Sequence, residues 1–137
     1  MVRLSETVAP SRGFQTSVNI ELDLGRPGRV STIVATAQVR RQVEGLLRDV
    51  VSPSTRRAKL LVGAYGRGKS HIALTALTAM WEKGTGALDG LVKAYESAGS
   101  PFAETLALLV NEGPRVLPVV VPGGSSDLRR SLMRGLR

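Results

Sequence analysis

Gly63-Ala-Tyr-Gly66-Arg-Gly68-Lys69-Ser70 has the spacing G-x-x-x-x-G-K-[ST] without a mismatch. Glycines at these intervals permit the turns of positive φ that aim successive backbone N–H groups into one concave nest, where phosphate oxygens sit. A helix beginning at Gly68-Lys69-Ser70 would add its unpaired N–H groups and the positive end of its dipole. In that reading Lys69 brings an ammonium to the β- and γ-phosphates and the Ser70 hydroxyl ligates Mg²⁺. Gly63, Gly66, Arg67, Gly68, Lys69 and Ser70 are therefore the expected nucleotide-binding residues, with ATP and Mg²⁺ as cofactors. Arg67 enters as a residue within reach of a phosphate. Tyr65 and His71 are expected to pack, or in the case of His71 to cap, rather than to react.

Hydrolysis requires more than a cradle. A magnesium-side acid normally stands at the end of a second buried strand, and a polar group orients the attacking water. The later strand-like run VLPVVV leads into Pro122-Gly123-Gly124 with no carboxylate at its tip. Asp127 follows it where a helix N-cap explains an acid well. No Walker B acid is recognisable, no arginine finger is assigned, and no catalytic residue is named.

Periodicity predicts the elements that must position the loop. Ser17–Leu24, SVNIELDL, alternates apolar and polar and predicts a half-buried strand. GRPGR breaks it as a turn. Val39, Val43, Leu46/Leu47 and Val50 predict a basic amphipathic helix over about 36–51, closed by Ser52-Pro53. Ala58–Val62 reads as a strand into the loop, and Ser70–Lys83 as a helix apolar on most sides that ends at Gly84. Two more helices are expected over 87–97 and 101–111. Arg115–Val121 reads as a second strand of parallel-sheet type, and GGSSD opens a last helix with Leu128, Leu132 and Leu136 four apart. The expected fold is α/β, a P-loop NTPase-like parallel sheet with flanking helices. The expected organisation is a flexible arm over 1–16, a strand plus basic helix over 17–57, and the start of a P-loop NTPase domain over 58–137. Two strands cannot cover a sheet, so the chain is expected to be the N-terminal part of a longer NTPase.

Composition bounds the rest. The 137 residues hold no cysteine and a single histidine, which excludes disulfide staples, thiolate metal sites and a histidine cluster. No apolar run is long enough for a secretory signal or a membrane span, so a soluble cytoplasmic protein is the default expectation. Nineteen Lys and Arg against eleven Asp and Glu give +8, a charge suited to polyanions such as nucleotides and nucleic acid. Aromatic residues make up 4%, too few for a base-stacking platform along a single strand.

The stretch LLVGAYGRGKSHIAL, with an aromatic before the second glycine and Ser-His after the lysine, resembles the P-loop of large bacterial ATPases of BREX-type phage-defence systems and their relatives. SVNIELDL upstream and LPVVVPGGSSDLRRSLMRGL downstream are similar to the N-terminal region of that group, so the likeness spans roughly residues 17–137, the loop being its specific part. The resemblance implies a large ATPase working with other subunits of a complex directed at foreign DNA, with Gly63, Gly66, Gly68, Lys69 and Ser70 as nucleotide-binding residues. The alternatives are a non-hydrolysing basic module that binds nucleotide or nucleic acid, and an inactive truncated remnant.

Overall fold

The computed structural model describes residues 17–52, 58–121 and 127–136; the expected arm over 1–16 and the GGSS turn lie outside them. Among them six helices follow one another: α1 (Ile20–Asp23), α2 (Ala37–Val51), α3 (Lys69–Trp81), α4 (Asp89–Ser97), α5 (Ala103–Asn111) and α6 (Leu128–Gly135). A 3₁₀ turn, Pro27–Arg29, links α1 to the approach of α2. The described residues contain no strand, so the expected parallel α/β sheet is not the fold: the architecture is helical.

Each of the three expected strands fails for a physical reason. SVNIELDL folds into a short helix because its polar residues bond to one another locally. The Asn19 side chain accepts from the N–H groups of Glu21 and Leu22, while Asp23 Oδ2 accepts from Asn19 N at 2.9 Å. The two faces expected from alternation are mixed as a result: Asp23 is buried and Leu22 exposed. Residues 58–62 form no ladder with any described residue, and Leu60 and Val62 are 85% and 82% exposed. Residues 115–121 form none either: Val116 donates its N–H to the Met80 carbonyl at the end of α3, not to a strand. An extended segment becomes a strand only through a ladder with a partner.

The helical periods translate well. Thr36 caps α2 by accepting from Val39 N, and Val43 and Leu47 on its inner face are fully buried. Leu88, Leu91 and Tyr95 about α4, and Phe102, Leu106, Leu109 and Val110 about α5, all reach the core. α3 is the centre of the molecule: α1, α2 and α5 pack around it, and Ile72, Leu74, Thr75, Ala76, Thr78 and Ala79 are buried. That enclosure is why its sequence, KSHIALTALTAMW, has hardly a polar face. It ends at Trp81, with Gly84 two residues past the Glu82 cap and bonded through its N–H to the Val110 carbonyl. The Lys83 ammonium closes both helix ends there, donating to the carbonyls of Ala79 and Leu109.

Tyr95 joins α4 to α2 through a hydrogen bond from its hydroxyl to the Arg40 carbonyl. Its ring meets Phe102 at 5.8 Å, and Arg48 lies 5.5 Å over the Phe102 ring. α6 corrects the expected leucine stripe: Leu132 and Leu136 are exposed, whereas Ser131 is buried. Four residues on, Gly135 lies so near residues 119–120 that a Cβ would come within 2.8 Å of the Val120 carbonyl. The small residues of α6 face the chain because only they allow this approach.

Candidate functional site

The loop leads directly into α3. Gly66 and Gly68 both have φ of 76°, the left-handed region in which an L side chain is strained. Gly68 occupies the N-cap of α3 with no side chain bonding to the first turn, and no acid stands in that turn. The leading N–H groups of α3, which have no partner within the helix, are therefore left to an outside acceptor. Gly63 differs from the other two: its φ is not positive, and an added Cβ would meet only Lys69 Cδ at 3.7 Å.

Lys69 folds back over the loop. Its Nζ donates to the Gly63 and Ala64 carbonyls, each at 2.7 Å, so the ammonium is tied to the exposed turn. Ser70 stands beside it in the first turn of α3 with its side chain exposed. Arg67 is exposed as well. Tyr65, expected to pack, is 100% exposed at the loop tip; the loop carries it away from the core that its ring would need.

His71 is half-buried behind the loop, its Nε2 enclosed without a hydrogen-bond partner. Burial holds the imidazole below its ordinary value, and a hydrogen bond to the Arg29 backbone pulls the other way. The ring is thus neutral near pH 7 and fixes position, in keeping with the packing role expected of it. Arg29 is held in turn by Asp23, whose buried carboxylate lies 3.2 Å from its Nε. The chain Asp23–Arg29–His71 fastens residues 17–34 to the start of α3. Sequence reading missed this link, although Asn19 and Asp23 at capping distance in front of GRPGR were a signal for it.

The result is a cleft of about 460 Å³. Residues 65–72 form one side; Ser17, Val18, Thr32, Ile33, Val34 and Val39 form the other. Several of the described carboxylates elsewhere have other tasks. Asp127 caps α6 by accepting from Arg130 N at 3.3 Å, the role its position suggested. Asp49 pairs with Lys59, and Glu44 with Arg48. Glu82 has both oxygens buried without a well-formed hydrogen bond; burial pushes its carboxyl up, and the Thr85 hydroxyl offsets part of that. It stands beyond the far end of α3, roughly 20 Å from the loop at 1.5 Å per helical residue, too far to act there.

Among the described residues no cluster of three or more acidic or histidine side chains forms a protein-only metal cage. Mg²⁺ does not need one, because it usually takes one or two protein oxygens and completes its shell with phosphate and water. The Ser70 hydroxyl, exposed beside the Lys69 ammonium, fits that pattern. No helix of the described residues is long and apolar enough to cross a membrane. Compared with protein-family models, curated proteins and solved structures, the chain matches none.

Proposed function

We propose that the chain binds a nucleoside triphosphate, with its phosphates on the loop Gly63–Ser70. The observation that carries this reading is the position of Lys69. Its ammonium is already gathered over the loop by the two carbonyls, 2.7 Å from each, at the open N-terminus of a well-packed helix. A triphosphate offers the ammonium stronger, charged acceptors than neutral carbonyls, and the first N–H groups of α3 add to the attraction. Gly66 and Gly68 hold the intervening backbone in the turn that directs these donors inward. The Ser70 hydroxyl would be this chain's ligand for Mg²⁺, which would supply positive charge to the triphosphate. Arg67, exposed on the same loop, is free to swing toward a phosphate oxygen.

The reading ends at binding. No carboxylate lines the cleft among the described residues, so no hydrolytic step is assigned to these residues. The likeness of LLVGAYGRGKSHIAL to the loops of BREX-type ATPases supports a role as the nucleotide-binding part of an ATPase that acts with other subunits on foreign DNA, and the +8 charge suits that partner.

Calorimetric titration of the chain with Mg-ATP tests the proposal. Lys69→Ala should weaken binding by about tenfold or more, the loss of a charge-assisted contact to phosphate, while leaving the nucleotide-free melting temperature nearly unchanged because Lys69 bonds only to an exposed loop. Equal affinity in the variant, or no binding by the wild type, overturns it.

A further inference from the structure

The side of the cleft opposite the loop is built from aliphatic residues that no phosphate requires. Val18 and Val39 are partly buried and rooted in the core, Ile33 is half-buried, and Val34 is 70% exposed beside them. This surface is set before any ligand arrives. Ile33 N bonds to the Val30 carbonyl and Thr36 N to the Val34 carbonyl, which fixes the backbone on both sides of Val34. The Asp23–Arg29 pair and the contact of Arg29 with His71 then hold the segment across from the loop. A volume near 460 Å³ falls within the range of small-ligand sites, about 300–1,000 Å³. The loop and this wall line one and the same cleft.

We propose that Val18, Ile33, Val34 and Val39 seat the base of the nucleotide, and that the seat takes adenine and guanine alike; the proposal rests on the loop holding the phosphates. Flat apolar contact is what the faces of both purines offer. The polar side chains on this wall are the hydroxyls of Ser17 and Thr32. A hydroxyl both donates and accepts, so it meets the amine of adenine and the carbonyl of guanine equally well. Apolar surface discriminates weakly between ligands of the same size. Selectivity therefore resides in ring size and in the phosphates, not in the purine edge.

The test is equilibrium binding of ATP, GTP and inorganic tripolyphosphate, each with Mg²⁺, to the wild type, Val34→Asn and Lys69→Ala. ATP and GTP should bind the wild type within about threefold of each other. Val34→Asn changes an exposed side chain without adding charge; it should weaken both nucleotides about fivefold by placing an amide against the base, with tripolyphosphate held within about twofold. Retained tripolyphosphate binding also shows that the variant's loop is folded. Lys69→Ala should weaken all three ligands by about tenfold or more. Unchanged ATP affinity in Val34→Asn, with Lys69→Ala impaired, overturns the base seat. An ATP-to-GTP ratio above about thirtyfold overturns its indifference to the purine edge. Undiminished ATP affinity in Lys69→Ala instead overturns the loop reading on which the proposal rests.

Discussion

Two glycines of one motif should respond to alanine with opposite signs. Gly68 has φ of 76° and ψ of 12°, and a Cβ added there would meet nothing within 4 Å. The cost of Gly68→Ala is therefore conformational, not steric: about 1–2 kcal/mol for a left-handed L residue, less about 0.4–1 kcal/mol because alanine restricts the unfolded chain. A net loss of about 1 kcal/mol remains, which for a domain of this size lowers the melting temperature by about 3–6 °C. At Gly63 the first term is absent, since φ is not positive and the nearest atom lies at an ordinary 3.7 Å. Gly63→Ala should keep its stability or gain up to about 1 kcal/mol. Paired thermal melts and urea titrations of the two variants without nucleotide measure the difference. Mg-ATP added to Gly68→Ala then shows whether the displaced N–H groups still serve a phosphate, and a reduced upward shift in melting temperature is expected. A Gly68→Ala protein as stable as the wild type, or a Gly63→Ala protein less stable than Gly68→Ala, would refute the reasoning.

Two further predictions concern groups held by the fold. Tyr95→Phe leaves the Arg40 carbonyl without its buried donor and should cost about 1–2 kcal/mol, seen as an earlier urea midpoint. Burial pushes the Tyr95 hydroxyl up from 10.0 to about 12, so its contribution is complete below the unfolded value and is lost as pH rises through the folded one; tyrosinate absorbance in a Tyr65→Phe background should follow that shift. For Glu82, burial raises the carboxyl above its ordinary 4.5, which makes the ionised form a burden at neutral pH. Glu82→Gln should melt higher than the wild type near neutrality, with the gap closing as pH falls through the raised value toward 4.5; a lower melting temperature for the variant at neutral pH contradicts this.

The loop and most of the helices were legible because their signals are local. Gly63, Gly66, Gly68, Lys69 and Ser70 sit at fixed separations along the chain, and the geometry they adopt needs little beyond the start of α3. α2, α4 and α5 were readable for the same reason, since a stripe at helical spacing reports a buried face whatever lies against it. Leu106, Leu109 and Val110 went where the period placed them. Asp127 was likewise readable as a cap, because the bond it accepts is three residues away.

Tertiary structure decided what depended on a partner distant in sequence. Residues 58–62 and 115–121 have the composition of strands, but a strand is a relation between two segments, and among the described residues that relation is absent. SVNIELDL alternates over too few residues to separate a strand from a capped turn, and the buried Asp23–Arg29 pair settled the choice. The aliphatic wall of the cleft left no signature in sequence, because Val18, Ile33, Val34 and Val39 share no period and come together only when Arg29 docks on His71. The sequence by itself determined a glycine loop at the head of an apolar helix; what stands across the cleft from that loop was decided by packing between segments that the chain keeps far apart.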